Sequence, residues 1–336
     1  MKTMASNLTI THLRFDAVAE EGIRLNGLMA GNYLRNGMAS VMLRATCTET
    51  HRTARPTPEH AAHCPACWLL AAHVEPGKVR RAYSMAPPLP SRQQVEPGEP
   101  FSFGISLYGE GLGFLPYFVL ALTEVGRLGV GPGRGSFRIR QIQAVEPLRG
   151  LIQDVLRPDA QLVQVPSLHV DWQAAHAAAS TLAGTLRRDE VTLHFLTPVR
   201  LTEQERLVRM PDFAVLFRRL LERIDEMARQ WNLGGRRTPE ELELLYGCAE
   251  RVRLVDADVK WMDLKSYSGR TKKERWFSGF VGQATYRSQD WLNLLPWLVL
   301  GQGVQVGKDT VRGNGMFMLA QGDGYWNWLG DLQAVS

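Results

Sequence analysis

Apolar and polar residues alternate along Leu8-Thr-Ile-Thr-His-Leu-Arg-Phe-Asp16, and a period of two predicts a strand with one buried face. Leu34, Met38, Val41 and Met42 then recur at helical spacing, which predicts a helix over Asn32 to Thr46 with Tyr33 and Arg35 near its start. From Cys47 to Val95 the chain is rich in Pro, His and Arg and keeps no period, so this part reads as a long connection or an insertion. Alternation returns over Glu99 to Leu107. Leu115, Phe118, Val119, Leu122 and Val125 mark a second amphipathic helix, and the glycine loop Gly129 to Gly135 leads to a strand over Ser136 to Ile142. With one more strand hidden in the Cys47 to Val95 region, this order is ferredoxin-like.

The second half repeats the pattern. Val191 to Leu196 reads as a strand that Pro198 should stop, and Phe213, Leu216, Phe217, Leu220, Leu221, Ile224 and Met227 form one apolar stripe on a long helix, which is core. Two strand-like runs, Arg251 to Lys265 and Trp276 to Arg287, lead into a helix over Trp291 to Leu300 and a glycine loop over Gly301 to Gly315. The apolar strand Met316 to Ala320 closes the series. The expected class is therefore α+β: two tandem ferredoxin-like (RRM-like, βαββαβ) domains, each ending helix, glycine-rich loop, strand. The N-terminal domain is expected over 1–187, with the insertion at about 47–95 and an Ala-rich linker helix near Ala174 to Ala179, and the C-terminal domain over 188–336.

A chain of 336 residues with 45% hydrophobic and 22% charged residues has the composition of a folded protein with proper cores. The N-terminus lacks the apolar centre of a signal peptide, and no run of about 18 apolar residues occurs, so a cytoplasmic chain without a membrane partner is expected. Its four cysteines should then be reduced thiols rather than disulfides. A net charge of +5 suggests an acidic partner only if the cations cluster.

They cluster around the glycine loops. Gly301, Gly303, Gly307, Gly313 and Gly315 alternate with the cations Lys308 and Arg312, a composition that lets a phosphate approach the backbone. The loop is not a nucleotide P-loop, because Gly303 and Gly307 enclose three residues and Asp309 follows Lys308; nor does it sit between a strand and a helix as a dinucleotide fingerprint must. Lys265, Arg270, Lys272, Lys273 and Arg275 surround a single acid, Glu274, with Tyr267, Trp276 and Phe277 interleaved for stacking. Arg134 lies in the first glycine loop, between Arg127 and the pair Arg138 and Arg140, and Lys78, Arg80 and Arg81 lie in the insertion. A solvated hairpin tip and plain surface charge are the alternatives for these cations; three clusters around two equivalent loops favour a phosphate track.

The insertion offers a second chemistry. Cys47-x3-His51 and Cys64-x2-Cys67 supply three thiolates and an imidazole, a structural zinc set in which His63 or His73 could replace His51; a metal-free buried cysteine cluster is the alternative.

Several segments, in this order and spacing, resemble the CRISPR-associated repeat-cleaving endoribonucleases of the RAMP superfamily. They are Gly31-Asn-Tyr-Leu-Arg-Asn-Gly37 with Cys47, Met85-Ala-Pro-Pro-Leu-Pro90, Glu96-Pro-Gly-Glu99, Leu115 to Leu122 and Gly129 to Phe137 in the first half. In the second half they are Leu193 to Leu201, Tyr267-Ser-Gly-Arg270, Gly279 to Tyr286 and Val306 to Gly315. The resemblance implies binding of CRISPR repeat or guide RNA and one cut without a catalytic metal or other cofactor, the 2'-hydroxyl attacking its neighbouring phosphate. Other CRISPR effector subunits are implied as partners, and a homodimer is left open. Many relatives carry a histidine before the Val-Gly-Lys of the last loop, where this chain has Gln305, and a catalytic histidine in or just after the first helix. The predicted helix holds none; the nearest is His51, with His60, His63 and His73 beyond it. His51 with Tyr33 and Arg35 is the implied catalytic set, and a solvated loop histidine is the alternative reading of His51. These departures keep a second reading alive, a non-catalytic RNA-binding subunit of an effector complex. A third is a zinc-stabilised protein-interaction module.

Overall fold

Each half of the chain folds into an antiparallel sheet with helices on one face, in a computed structural model that describes residues 7–49, 56–70, 79–160, 162–268, 273–320 and 328–329. In the first unit, β1 (Ile10–Ala19) turns Leu13, Phe15, Ala17 and Ala19 inward, as its alternation requires. α1 (Ala30–Thr46) follows β2 (Ile23–Arg24). Two short helices, α2 (Pro58–His63) and α3 (Pro65–Leu69), lead to β3 (Tyr83–Ala86), the strand hidden in the insertion, and to β4 (Gln94–Val95), which pairs with β2. β5 (Pro100–Tyr108), α4 (Leu115–Leu128) and β6 (Phe137–Glu146) complete the βαββαβ unit, and β7 (Leu151–Leu156) adds an edge. The sheet order is β3-β5-β1-β6-β7.

The second unit repeats the topology. β8 (Glu190–Val199) carries the short hairpin β9 (Leu201–Glu203) and β10 (Arg206–Val208); α6 (Phe213–Trp231) and α7 (Pro239–Glu250) precede β11 (Arg253–Met262). A hairpin of β12 (Lys265–Ser268) and β13 (Lys273–Trp276) projects before β14 (Gly279–Arg287), α8 (Trp291–Val304) and β15 (Phe317–Leu319), giving the order β11-β14-β8-β15. Both sheets have strands two, three, one and four of their βαββαβ unit side by side, so the chain is two tandem ferredoxin-like folds.

Several elements depart from the sequence expectation. β8 runs through Pro198 instead of stopping there. The register against β14 shifts between Phe280 and Gly282, so the missing proline N–H falls at a bulge where the ladder has no need of it. α7, which the sequence reading does not mark, sets Leu242, Leu245, Cys248 and Ala249 at helical spacing against the second core, and Thr238 with Glu241 forms a full capping box with Pro239 at the first position. The Ala-rich segment, expected to link the halves, forms α5 (Trp172–Ala183) and packs on α8 of the second unit through Ala175, Ala179 and Leu182. The helical stretch Gly109–Leu128 is long and apolar enough to cross a membrane by length and composition, yet Leu115, Phe118, Val119, Leu122 and Val125 face the first core.

α8 is the wedge between the units. Every residue from Leu294 to Val304 is buried, because a helix apolar all round has no face to give to water. Leu220 of α6 lies against one side of it, and Ile10 and Tyr108 of the first sheet share its core. Its last carbonyls, which no helical N–H can reach, are met from both units. The Tyr108 hydroxyl donates to Gly303 O at 3.2 Å, and Arg223 Nε donates to Val304 O at 2.9 Å.

Candidate nucleic-acid interface

The first turns of α1 bring Tyr33 and Arg35 together with Arg312 and Gly313 of the second glycine loop. Asn26, in the left-handed region at φ 51°, turns the chain into the helix, and Gly31 lies where a Cβ would be 2.4 Å from Arg312 O and 3.2 Å from Gly313 Cα. Only glycine lets the second unit's corner touch the helix there. Asn32 is buried beside it: its Nδ2 donates to Ser266 Oγ of the β12–β13 hairpin at 3.3 Å, and its Oδ1 accepts from Arg312 Nη1. Asn36 Oδ1 accepts from the same guanidinium at 3.2 Å and from Arg35 Nη1 at 3.3 Å. The Tyr33 hydroxyl accepts from Asn26 Nδ2 at 3.0 Å, and its ring lies 3.7 Å from where a Cβ of Gly131 would stand, against the first glycine loop. Four elements far apart in sequence therefore meet at one place: the start of α1, both glycine loops and the basic hairpin.

The predicted cations divide by environment. Arg312 has a side chain only 15% exposed; it bonds Asn32 and Asn36, lies 3.6 Å from Asp309 and stacks over Phe277 at 5.1 Å. It is a strut between the units rather than a phosphate contact. Lys308, four residues earlier on the same corner, is exposed, as is Arg134 in the first loop at φ 53°. Lys265 is exposed, pairs with Glu274 at 2.6 Å and lies 5.5 Å over the half-exposed Trp276 ring, which leaves an aromatic face for stacking. Lys273 and Arg275 lie on β13; Arg270, Lys272 and His51 lie outside the described residues.

The glycines divide too. Gly301 and Gly303, expected in the loop, belong to α8, and a Cβ on Gly301 would meet Leu220 Cδ2 at 2.5 Å. Close helix packing explains Gly301, and nothing there faces solvent. Gly307, Gly313 and Gly315 do form the corner, all at positive φ and each against a neighbouring segment: Arg200 O, Pro87 and Val306 O. Gln305, at φ 64°, is buried, and its Nε2 donates to Met85 O of β3 at 2.9 Å. It seals the two units.

A second cluster lies at the far end of α1. Cys47 caps the helix, and Cys64 and Cys67 flank the start of α3. The imidazole that joins them is His60, one of the insertion histidines but not one that the zinc reading selects; His63 Nδ1 instead meets Glu59 O at 2.9 Å. His60 stands one helical turn before Cys64, and that His-x3-Cys-x2-Cys spacing is the signal that could have found it. Burial and the neighbouring Cys64 and Cys47 push the Cys67 thiol up.

Residues 193–317 match the family model of the CRISPR-associated endoribonuclease Cas6, and residues 8–168 match a model described as an N-terminal domain. The fold on which these matches fall is two ferredoxin-like units in tandem, joined at a glycine-rich corner. The second unit is thus similar to the CRISPR-associated endoribonuclease Cas6 family. Among solved structures, a Cas6 product complex is 18% identical with a TM-score of 0.54, covering 93% of this chain and 99% of its own. A Thermus thermophilus Cas6 is 16% identical with a TM-score of 0.54, covering 93% and 98%. A partial Cas6-RT-Cas1–Cas2 complex is 12% identical with a TM-score of 0.59, covering 94% of this chain and 47% of that one. These likenesses are of fold. No curated protein matches the sequence.

Proposed function

We propose that the chain binds CRISPR repeat RNA across the corner at the start of α1 and cuts it once, without a metal in the reaction. The repeat's 2'-hydroxyl loses its proton to a base and forms the new O–P bond; the P–O5' bond breaks, and the leaving oxygen takes a proton. The ends are a 2',3'-cyclic phosphate and a 5'-hydroxyl. Such a reaction needs a base, an acid and positive charge at the phosphate, and no water. His51 is assigned the base, Tyr33 the proton donor or orienting hydroxyl, and Arg35 the charge. What carries this reading is the convergence of Tyr33, Arg35, both glycine loops and the basic hairpin on the first turns of α1. Among the described residues the cysteine cluster takes His60 as its histidine and lies at the other end of the helix, away from Tyr33 and Arg35.

The test is incubation of the purified chain with its own repeat RNA in EDTA. Cut RNA with cyclic-phosphate ends is expected, and His51→Ala should slow cleavage by about 10²- to 10⁴-fold while RNA binding persists. RNA that is bound but left intact by the wild-type chain overturns the enzyme reading. The non-catalytic RNA-binding subunit would then stand, a reading that Gln305 and the absence of histidine from α1 favour. In either role the partners are repeat or guide RNA and other CRISPR proteins, the chain acting in the cytoplasm; the neighbours named as a product complex and as a Cas6-RT-Cas1–Cas2 complex support this.

A further inference from the structure

Four side chains that the proposed cleavage does not use meet where α1 ends. Cys47 Sγ lies 3.7 Å from Cys67 Sγ and 3.4 Å from His60 Nε2, and the ligand atoms of Cys47, His60, Cys64 and Cys67 all fall within 4.8 Å of one another. A tetrahedral zinc ion with Zn–S bonds of about 2.3 Å and a Zn–N bond of about 2.05 Å sets its sulfurs about 3.8 Å apart and sulfur and nitrogen about 3.5 Å apart. The two separations at Cys47 fit those edges, the rest stay within 4.8 Å, and the Cys47–Cys67 distance is far too long for a disulfide, whose sulfurs bond at about 2.05 Å. The other ring nitrogen, His60 Nδ1, lies 3.3 Å from Glu49 Oε1, the carboxylate–histidine pairing that orients a metal-bound imidazole. Cys64 and Cys67 are buried among Ala61, Ala66 and Leu69, which keeps water from the sulfurs.

We infer that Cys47, Cys64, Cys67 and His60 Nε2 hold one structural zinc ion, with Glu49 fixing the imidazole. The ion ties the C-terminus of α1 to α2 and α3, helices of six and five residues that are too short to persist without a tertiary anchor. Binding releases the thiol protons, and all four ligands close the coordination sphere, so no position is left for water or substrate.

The inference is independent of RNA cleavage. The full chain, purified without a metal-affinity step and passed through chelator-treated buffer, should carry about one zinc per chain by mass spectrometry of the metal. Cobalt(II) in its place should give the intense visible bands of a tetrahedral site with thiolate charge transfer. Cys64→Ser should lose the metal, whereas Cys248→Ser, which alters a buried cysteine outside the cluster, should keep it. If the variants fail to fold, the wild-type metal content still decides. A folded wild-type chain that holds no zinc, or holds another metal in its place, overturns the inference whether or not it cuts RNA.

Discussion

Lys308 and Arg312 read alike in the sequence, as cations of a glycine loop, and the fold gives them opposite tasks. Arg312 spends its guanidinium on the buried Asn32, the exposed Asn36, the half-buried Asp309 and the face of the buried Phe277. Its removal leaves the buried Asn32 amide oxygen without its charged donor, a loss of about 1.5–3 kcal/mol. Arg312→Ala should therefore lower the denaturation midpoint measurably. Lys308→Ala should leave that midpoint unchanged, weaken RNA binding and reduce its salt dependence by about one counterion. Equal stability of the two variants would show that Arg312 is no strut. This difference was not legible beforehand, because the partners of Arg312 on α1 lie more than 270 positions away.

At the scale of elements, α8 shows how a motif can mislead. Glycine-rich sequence after Leu300 predicts a loop, but the helix continues to Val304 because Gly301 lets α6 pack closely and because Tyr108 and Arg223 meet the terminal carbonyls. Glycine costs about 1 kcal/mol in a helix, and close tertiary packing offsets it here. Gly301→Val would push a branched side chain into Leu220, and overpacking of this kind costs about 1–3 kcal/mol. Chemical denaturation should show that loss. A stability equal to the wild type would mean that the α6–α8 contact is loose. The insertion makes the complementary point: its Cys-x2-Cys was visible as a ligand pair, whereas His60 was chosen by the geometry of α2 beside Cys47.

At the scale of the whole molecule, the open face of the first sheet is covered by the second half. Ile10 and Tyr108 join the core around α8, and Trp328 from near the chain's end lies over Gly104, where a Cβ would come within 2.3 Å of its ring. Beneath it, His12 is fully buried, stacked on Trp328 at 4.8 Å and 2.8 Å from Ser106 Oγ. Burial lowers its pKa from 6.5 to about 3. The unfolded chain takes up a proton as pH falls below about 6.5 and the folded chain does not, so this stability is complete above that pH. On acidification toward pH 3 it is lost at about 1.4 kcal/mol per pH unit. His12→Gln should flatten that slope when unfolding is followed by denaturant between pH 7 and 5; an unchanged slope would assign the loss to other groups. The sequence by itself determined the two ferredoxin-like units, the long core helices and the family resemblance, since periodicity and local motif depend on residues close together in the chain. Only the tertiary structure decided which cation is a strut, which histidine joins the cysteines, and that the start of α1 is the meeting place of both halves. Those depend on burial and on contacts between distant residues, which no local pattern records.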